Sequence, residues 1–321
     1  MNIQNHSPRT LPFSIADDFR LERLLGYNAQ QKIISLLGHV NGVRTIVVME
    51  KTQFAVDSEE DVKKWLALIK QPNGQGLQQV IVNDKYYMLN LPAMEDDHFN
   101  LLNTSIIFPA DESDIAKYSM QSHELFLETP SLYQEVTRPY IDKIPKEHEK
   151  WVDNLLQKQS EVEHMIYEDT ESEEDLRFML HPDMKYDKVD RNQLYCIAFC
   201  FNKEIKSLRD LSTERHLKML KNVRDRGCQV IEQLFGIPRE KLRIFVHYLP
   251  SFFRFHVHFT NVDNTSVNNG VERAHLLDDI IENMEVFGLD FYQRKTLTIT
   301  IKGTHGLYRS FKERTTNVDR K

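Results

Sequence analysis

His247-Tyr-Leu-Pro-Ser251-Phe-Phe-Arg254-Phe-His256-Val-His258-Phe-Thr260 is the stretch on which the reading of this chain turns. Residues 254–260 alternate polar and apolar, and successive strand side chains point to opposite faces. In a strand expected over 254–262, Arg254, His256, His258 and Thr260 share one face, and Phe255, Val257 and Phe259 the other. One face is then core and the other a site. A lone strand histidine reads as a structural residue. Two on one face beside an arginine, with His247 on the strand expected over 242–248, read as chemistry.

Two chemistries suit such a cluster. His-x-His on a strand with a third histidine fits a tetrahedral zinc site with an open position. Alternatively, an imidazole attacks phosphorus and splits one hard displacement into two easier ones. Arg273, in Gly270-Val-Glu-Arg273-Ala-His275, favours the second, because a guanidinium fork matches phosphate oxygens and a metal would not need it.

Outward from this strand, the second half reads as strand (193–201), helix (213–234), strands (242–248 and 254–262), helix (271–285) and strand (296–301). Leu217, Leu220, Val223, Gly227, Ile231 and Leu234 recur at three- and four-residue spacing in the first helix, with Gly236 and Pro238 as stop signals. The pattern predicts an α+β domain whose mostly antiparallel sheet carries helices on one face. The first half reads as a smaller α/β domain, with strands at 44–50, 77–82 and 104–108 and a helix over 59–70. From Asp111 the chain turns polar and helical. A boundary is expected near 145, giving domains 1–145 and 146–321, with a helix over 146–163 opening the second. The acid-rich run 168–175 reads as a solvated loop and the residues after 309 as a frayed tail.

The chain has 321 residues, 40% of them apolar and 28% charged, long enough for two domains. Lys and Arg number 41 against 48 Asp and Glu, a net charge of −7, which argues against a broad basic surface for long DNA or RNA. A small anionic ligand stays open. Three cysteines, Cys196, Cys200 and Cys228, make no disulfide framework and lack CxxC spacing, pointing to a reducing compartment. No apolar run reaches the roughly 20 residues that cross a bilayer, and the start has neither a basic nor an apolar signal region. The expectation is a cytosolic protein, with nuclear entry left open.

His256-Val-His258 resembles the histidine triad, and the longer strings resemble one branch of that family, the scavenger mRNA decapping enzymes. They are His247–Thr260, "GVERAHLLDDIIENME" at 270–285 and "FYQRKTLT" at 291–298. Upstream come His181-Pro-Asp183-Met-Lys185, "IKSLRDL" at 205–211, "VVMEKTQF" at 47–54 and "LPFS" at 11–14. The resemblance implies a hydrolase that cleaves the triphosphate bridge of m7GpppN caps left by 3′-to-5′ mRNA decay and releases m7GMP. It implies no metal and no cofactor.

By the same resemblance His256 is the nucleophile, and His247, Ser251, His258 and Arg273 hold the phosphate oxygens. Arg254 stands where the family usually has the first triad histidine, and is placed with the phosphate shell as a cation lowering the pKa of His256 or pinning the phosphates. Phe252 stands where tyrosine is usual. N7-methylguanine carries a delocalised positive charge, so an indole stacks on it and a carboxylate accepts from its N1–H and 2-amino group. Trp151 and Glu161, ten residues apart, match the family's stacking and base-reading pair, and Asp183 and Lys185 its cap-contacting pair. Without the resemblance Trp151 reads as a packing residue and Glu161 as a solvated one. Asn83 and Lys117 match residues of a first domain that exchanges between protomers of a homodimer and closes over the cap. The expected partners are a cap dinucleotide or short capped RNA and a second copy of the chain, with neither a membrane nor a long duplex. A catalytically weak cap-binding regulatory protein is the alternative.

Overall fold

The computed structural model describes residues 14–52, 58–60, 62–63, 78–83, 86–90, 102–183, 186, 190–264 and 270–318. The chain forms two compact units, 1–121 and 122–321. In the first, β1 (Phe19–Asn28), β2 (Ile33–Val40), β3 (Val43–Lys51) and β6 (Leu102–Ile107) make an antiparallel sheet in the order β1-β2-β3-β6. β4 (Gln78–Asn83) and β5 (Tyr86–Asn90) pair separately. Leu25, Leu37 and Ile46 of the sheet pack against Ile115 of α1 (Glu112–Tyr118), whose N-terminus is closed by a reciprocal Asp111–Asp114 capping box. The strands expected in this half are present and antiparallel. The helix expected over 59–70 lies largely outside the described residues.

The second unit begins earlier than the sequence suggests. β7 (His123–Glu128) pairs along its length with β14 (Leu297–Lys302), so 122–145 belongs with the C-terminal half rather than before a boundary at 145. No local pattern announces a pairing between segments so distant in sequence.

The main sheet has six antiparallel strands in the order β13-β11-β12-β10-β9-β8. They are β8 (Tyr167–Glu168), β9 (Phe178–Pro182), β10 (Tyr195–Cys200), β11 (Leu242–His247), β12 (His256–Asn261) and β13 (Ala274–Leu276). One face meets α3 (Glu214–Phe235) and α4 (Leu277–Phe287) in a core that includes Leu220, Val223, Ile281, Val257 and Phe259. Thr213 caps α3 by accepting from His216 N, and Gly236 at φ +67° ends it, as its stop signals predict. At Gly227 the helix approaches β12 so closely that a Cβ would lie 2.5 Å from Phe259 Cζ. Register places Met179, Phe199 and His256 together on the other face. Helices were expected on one face only. The site face is also partly covered, by Val152, Leu155 and Leu156 of α2 (Lys150–Leu156) packed on Met179 and Phe199.

Three further expectations change, and a fourth gains detail. The helix expected over 146–163 is a 3-10 turn at 146–149 followed by α2, because 157–161 has no apolar residue to extend the stripe and Lys158 and Glu161 take positive φ. The acid-rich run is a largely exposed loop, as expected, but it is anchored at one buried residue and by ion pairs. Asp169 is fully buried and accepts from Asn222 Nδ2 at 2.7 Å, while Arg215 reaches Glu173 and Asp175 and Arg226 reaches Glu171. Residues 308–318 form α5 (Tyr308–Val318), held by buried Phe311 against Phe126. The stretch expected as helix from 271 first makes β13, and α4 starts at Leu277.

Candidate active site

β12 places His256 and His258 on the face shared with Phe199, Ile197 and Phe245 of its neighbours. All three cluster histidines are buried, His247 at 9%, His256 at 5% and His258 at 4% exposure. The His247 and His258 rings are 4.5 Å apart and those of His256 and His258 4.9 Å. The strand begins at His256, so Arg254 lies in the bend before it rather than on the strand face.

His256 Nδ1 is 2.7 Å from Arg254 O. A carbonyl only accepts, so Nδ1 carries the proton and Nε2 keeps its lone pair. Burial pushes the His256 pKa down to about 4, with Arg273 assisting and the Arg254 carbonyl opposing. The imidazole is therefore neutral at pH 7. Phe252 stacks on it at 4.2 Å and 16°. His258 Nδ1 is 3.1 Å from the Tyr195 hydroxyl, whose pKa burial raises. Arg273 Nη2 donates to Ser251 Oγ at 3.2 Å. Thus His247, His256, His258, Ser251 and Arg273, scattered over 27 positions of sequence, converge in the folded unit.

Arg254 departs from the expectation. Its guanidinium is 3% exposed and turned to protein acceptors: Asp153 Oδ1 at 3.3 Å, Phe201 O at 3.3 Å and Cys200 O at 3.5 Å. Its side-chain charge is not among the causes that depress His256; burial and Arg273 are. A buried guanidinium seeks acceptors, and the end of β10 and α2 offer them.

Trp151 is 43% exposed on α2, its ring centroid 5.0 Å from that of Phe252 and 5.8 Å from that of Phe199, both in T-shaped contact. An aromatic series, Trp151–Phe252–His256, thus runs from an open indole to the imidazole. A cavity of about 490 Å³ beside it is lined by Trp151, Ser251, Phe252, Tyr140, Lys143 and His148, among others. Glu161 is exposed where the chain turns after α2. Asp183 is half-buried just past β9, its N–H donating to Tyr195 O at 2.9 Å. Lys185 lies outside the described residues. Asn83 ends β4, and Lys117 sits on α1 with Nζ 5.2 Å from the Tyr118 ring; both belong to the first unit. Among the described residues no group of three or more His, Cys, Asp or Glu is arranged to hold a metal ion. None of the described helices is long and apolar enough to cross a membrane.

Sequence reasoning missed Asp153, Phe199 and Tyr195. Tyr195 was reachable in principle, since strand register sets it opposite Thr260, beside His258. Asp153 carried no signal, because its partner is 101 residues away.

A family model described as "Scavenger mRNA decapping enzyme (DcpS) N-terminal" matches residues 14–121, and one described as "Scavenger mRNA decapping enzyme C-term binding" matches 150–274. The chain is 35% identical over 297 residues to the m7GpppX diphosphatase of Caenorhabditis elegans, spanning 92% of this chain and 91% of that one. It is 36% identical over 305 residues to the m7GpppX diphosphatase of Bos taurus, spanning 92% and 85%. Against the m7GpppX diphosphatase of Homo sapiens it is 34% identical over 314 residues, spanning 96% and 88%.

Proposed function

Because the chain belongs to the scavenger mRNA decapping enzyme family, we propose that it hydrolyses m7GpppN caps on short capped RNA left by 3′-to-5′ decay, releasing m7GMP. The observation that carries this reading is His256, buried, neutral at pH 7 and oriented by a carbonyl that fixes its proton on Nδ1.

His256 Nε2 attacks the phosphorus bearing the methylated nucleoside. An N–P bond forms, the anhydride P–O bond breaks, and the remaining nucleoside diphosphate, or short RNA with a 5′-diphosphate, leaves with the electron pair. Water then attacks the phosphoramidate, giving m7GMP and returning the imidazole. Arg273, with Ser251 in its hold, neutralises charge that builds on the phosphate oxygens, and His247 and His258 stand beside the same path. Trp151 stacks on the cationic base, while Glu161, Asp183 and Lys185 read its edge and sugar. Asn83 and Lys117 belong to a first domain that, in a homodimer with exchanged domains, closes over the cap. The setting is the cytoplasm, with access to the nucleus.

Incubating the purified chain with m7GpppG and resolving the products tests the proposal. Formation of m7GMP and GDP is the expected result. Retention on a cap-analogue resin without turnover would instead establish the weak cap-binding alternative.

A further inference from the structure

Arg254 is the one place where the site departs from the family resemblance in its charged groups, and it touches two parts of the site at once. Its carbonyl holds the nucleophile: His256 Nδ1 donates to it at 2.7 Å. Its side chain holds α2, through Asp153 Oδ1 at 3.3 Å, two residues along the helix from Trp151. The guanidinium is further seated on Phe201 O and Cys200 O, at the end of the strand that pairs with β12. Asp153 also meets Lys203 at 3.2 Å, but Lys203 is 60% exposed whereas Arg254 is 3% exposed. Exposed ion pairs restrain little, whereas a buried, multiply hydrogen-bonded guanidinium restrains its neighbours because leaving those acceptors costs it dearly.

The apolar side of α2, Val152, Leu155 and Leu156, lies on Met179 and Phe199. Such packing fixes the depth of a short helix better than its rotation, since apolar contact is non-directional. Trp151 projects from a part-exposed position in T-shaped contact with Phe252 and Phe199, ring centroids 5.0 and 5.8 Å away. A directional contact one half-turn away, at Asp153, supplies what the packing does not. Histidine, shorter and with two ring nitrogens in place of a fork, could not serve all three acceptors.

We infer that Arg254 is a positioning residue, which together with Asp153 clamps the base-stacking helix to the strand that carries the nucleophile and so sets the placement of Trp151 relative to His256. This rests on the reading of Trp151 as the base-stacking residue and of His256 as the nucleophile. Arg273, which donates to Ser251 Oγ at 3.2 Å and whose charge acts on His256, is the cation left to the phosphates.

The test compares full-length wild type with Asp153→Asn, Arg254→Lys, Arg254→Met and the Asp153→Asn/Arg254→Met double variant in m7GpppG hydrolysis. Asp153→Asn raises KM about tenfold with kcat within about threefold, because the guanidinium keeps its carbonyl acceptors and its own carbonyl still orients His256. Arg254→Met raises KM at least as much and also lowers kcat. Arg254→Lys recovers part of the KM loss, and the double variant is no worse than Arg254→Met. If Arg254→Met does not fold, Asp153→Asn alone still decides. Unchanged KM in Asp153→Asn, or a double variant whose losses multiply, overturns the clamp, and so does lowered thermal stability with kinetic constants intact.

Only two tryptophans are present, Trp65 and Trp151, so in a Trp65→Phe background excitation beyond the tyrosine band reports Trp151 alone. Its time-resolved anisotropy, read without any substrate, should show a freer indole in Asp153→Asn than in the parent. Equal indole mobility contradicts the clamp whether or not the wild type proves active. A wild type inert toward m7GpppG contradicts the proposed function alone.

Discussion

Replacing Phe252 with alanine probes why His256 is neutral. Burial is the largest cause of the fall from 6.5 to about 4, a displacement of roughly 3 kcal/mol in favour of the uncharged ring at ~1.4 kcal/mol per unit. An imidazole has two faces, and Phe252 covers one at 4.2 Å. Uncovering it lets water solvate the imidazolium, so about half of the shielding is lost and the pKa rises by about one unit, or ~1.4 kcal/mol. The assay is kcat/KM for m7GpppG against pH, whose acid limb reports the free enzyme's base. Wild type should hold its activity down to near pH 4–5, and Phe252→Ala should begin to fail about one unit higher. The same group shapes stability. With its folded pKa depressed, the unfolded chain takes the proton first, so stability is full above 6.5 and falls with decreasing pH until about 4. A wild-type limb near 6.5, or one that Phe252→Ala leaves in place, would refute burial as the origin of the neutral nucleophile.

Trp151→Ala should weaken m7GMP binding by ~1–3 kcal/mol, the range for base–aromatic stacking, and narrow the preference over unmethylated GMP; equal affinities in a titration would make Trp151 a packing residue. Glu128→Gln should cost ~3–5 kcal/mol in denaturant unfolding. It strips the charge from a fully buried pair in which Arg209 Nε and Nη2 and the Tyr248 hydroxyl all donate to Glu128 Oε2, and a loss under about 1 kcal/mol would show that the amide replaces it. Cap hydrolysis should survive dialysis against EDTA, and activity lost there and restored by zinc would replace the nucleophilic role of His256 with metal ligation.

The site was more legible than the fold around it. Period-two alternation placed His256 and His258 on one face from sequence alone, because a strand's side-chain direction is a local property. It failed at Arg254, since the strand starts two residues later and a bend redirects the guanidinium to Asp153. The α3 helix was readable to within a residue at each end because Thr213 and Gly236 close it with their own atoms. β7 and α5 were not, since each is made by distant partners: β7 by β14, and α5 by the seating of Phe311 on Phe126. The acidic run was legible as an exposed loop, but charge composition does not reveal that Asn222 and three ion pairs from Arg215 and Arg226 of α3 anchor it.

His256 as the covalent nucleophile that accepts the m7GMP nucleotidyl group is tested most directly by a single-turnover reaction with enzyme in excess over m7GpppG. The mixture is quenched in alkaline detergent, where a phosphoramidate survives, and the protein is digested for mass spectrometry. The expected result is an m7GMP adduct on the peptide carrying His256 that forms and decays on the path to m7GMP, and no adduct or product with His256→Asn, which still binds m7GMP within about tenfold of wild type. Cap hydrolysis by His256→Asn at a near wild-type rate, or an adduct on His247 or His258 instead, would contradict this role of His256.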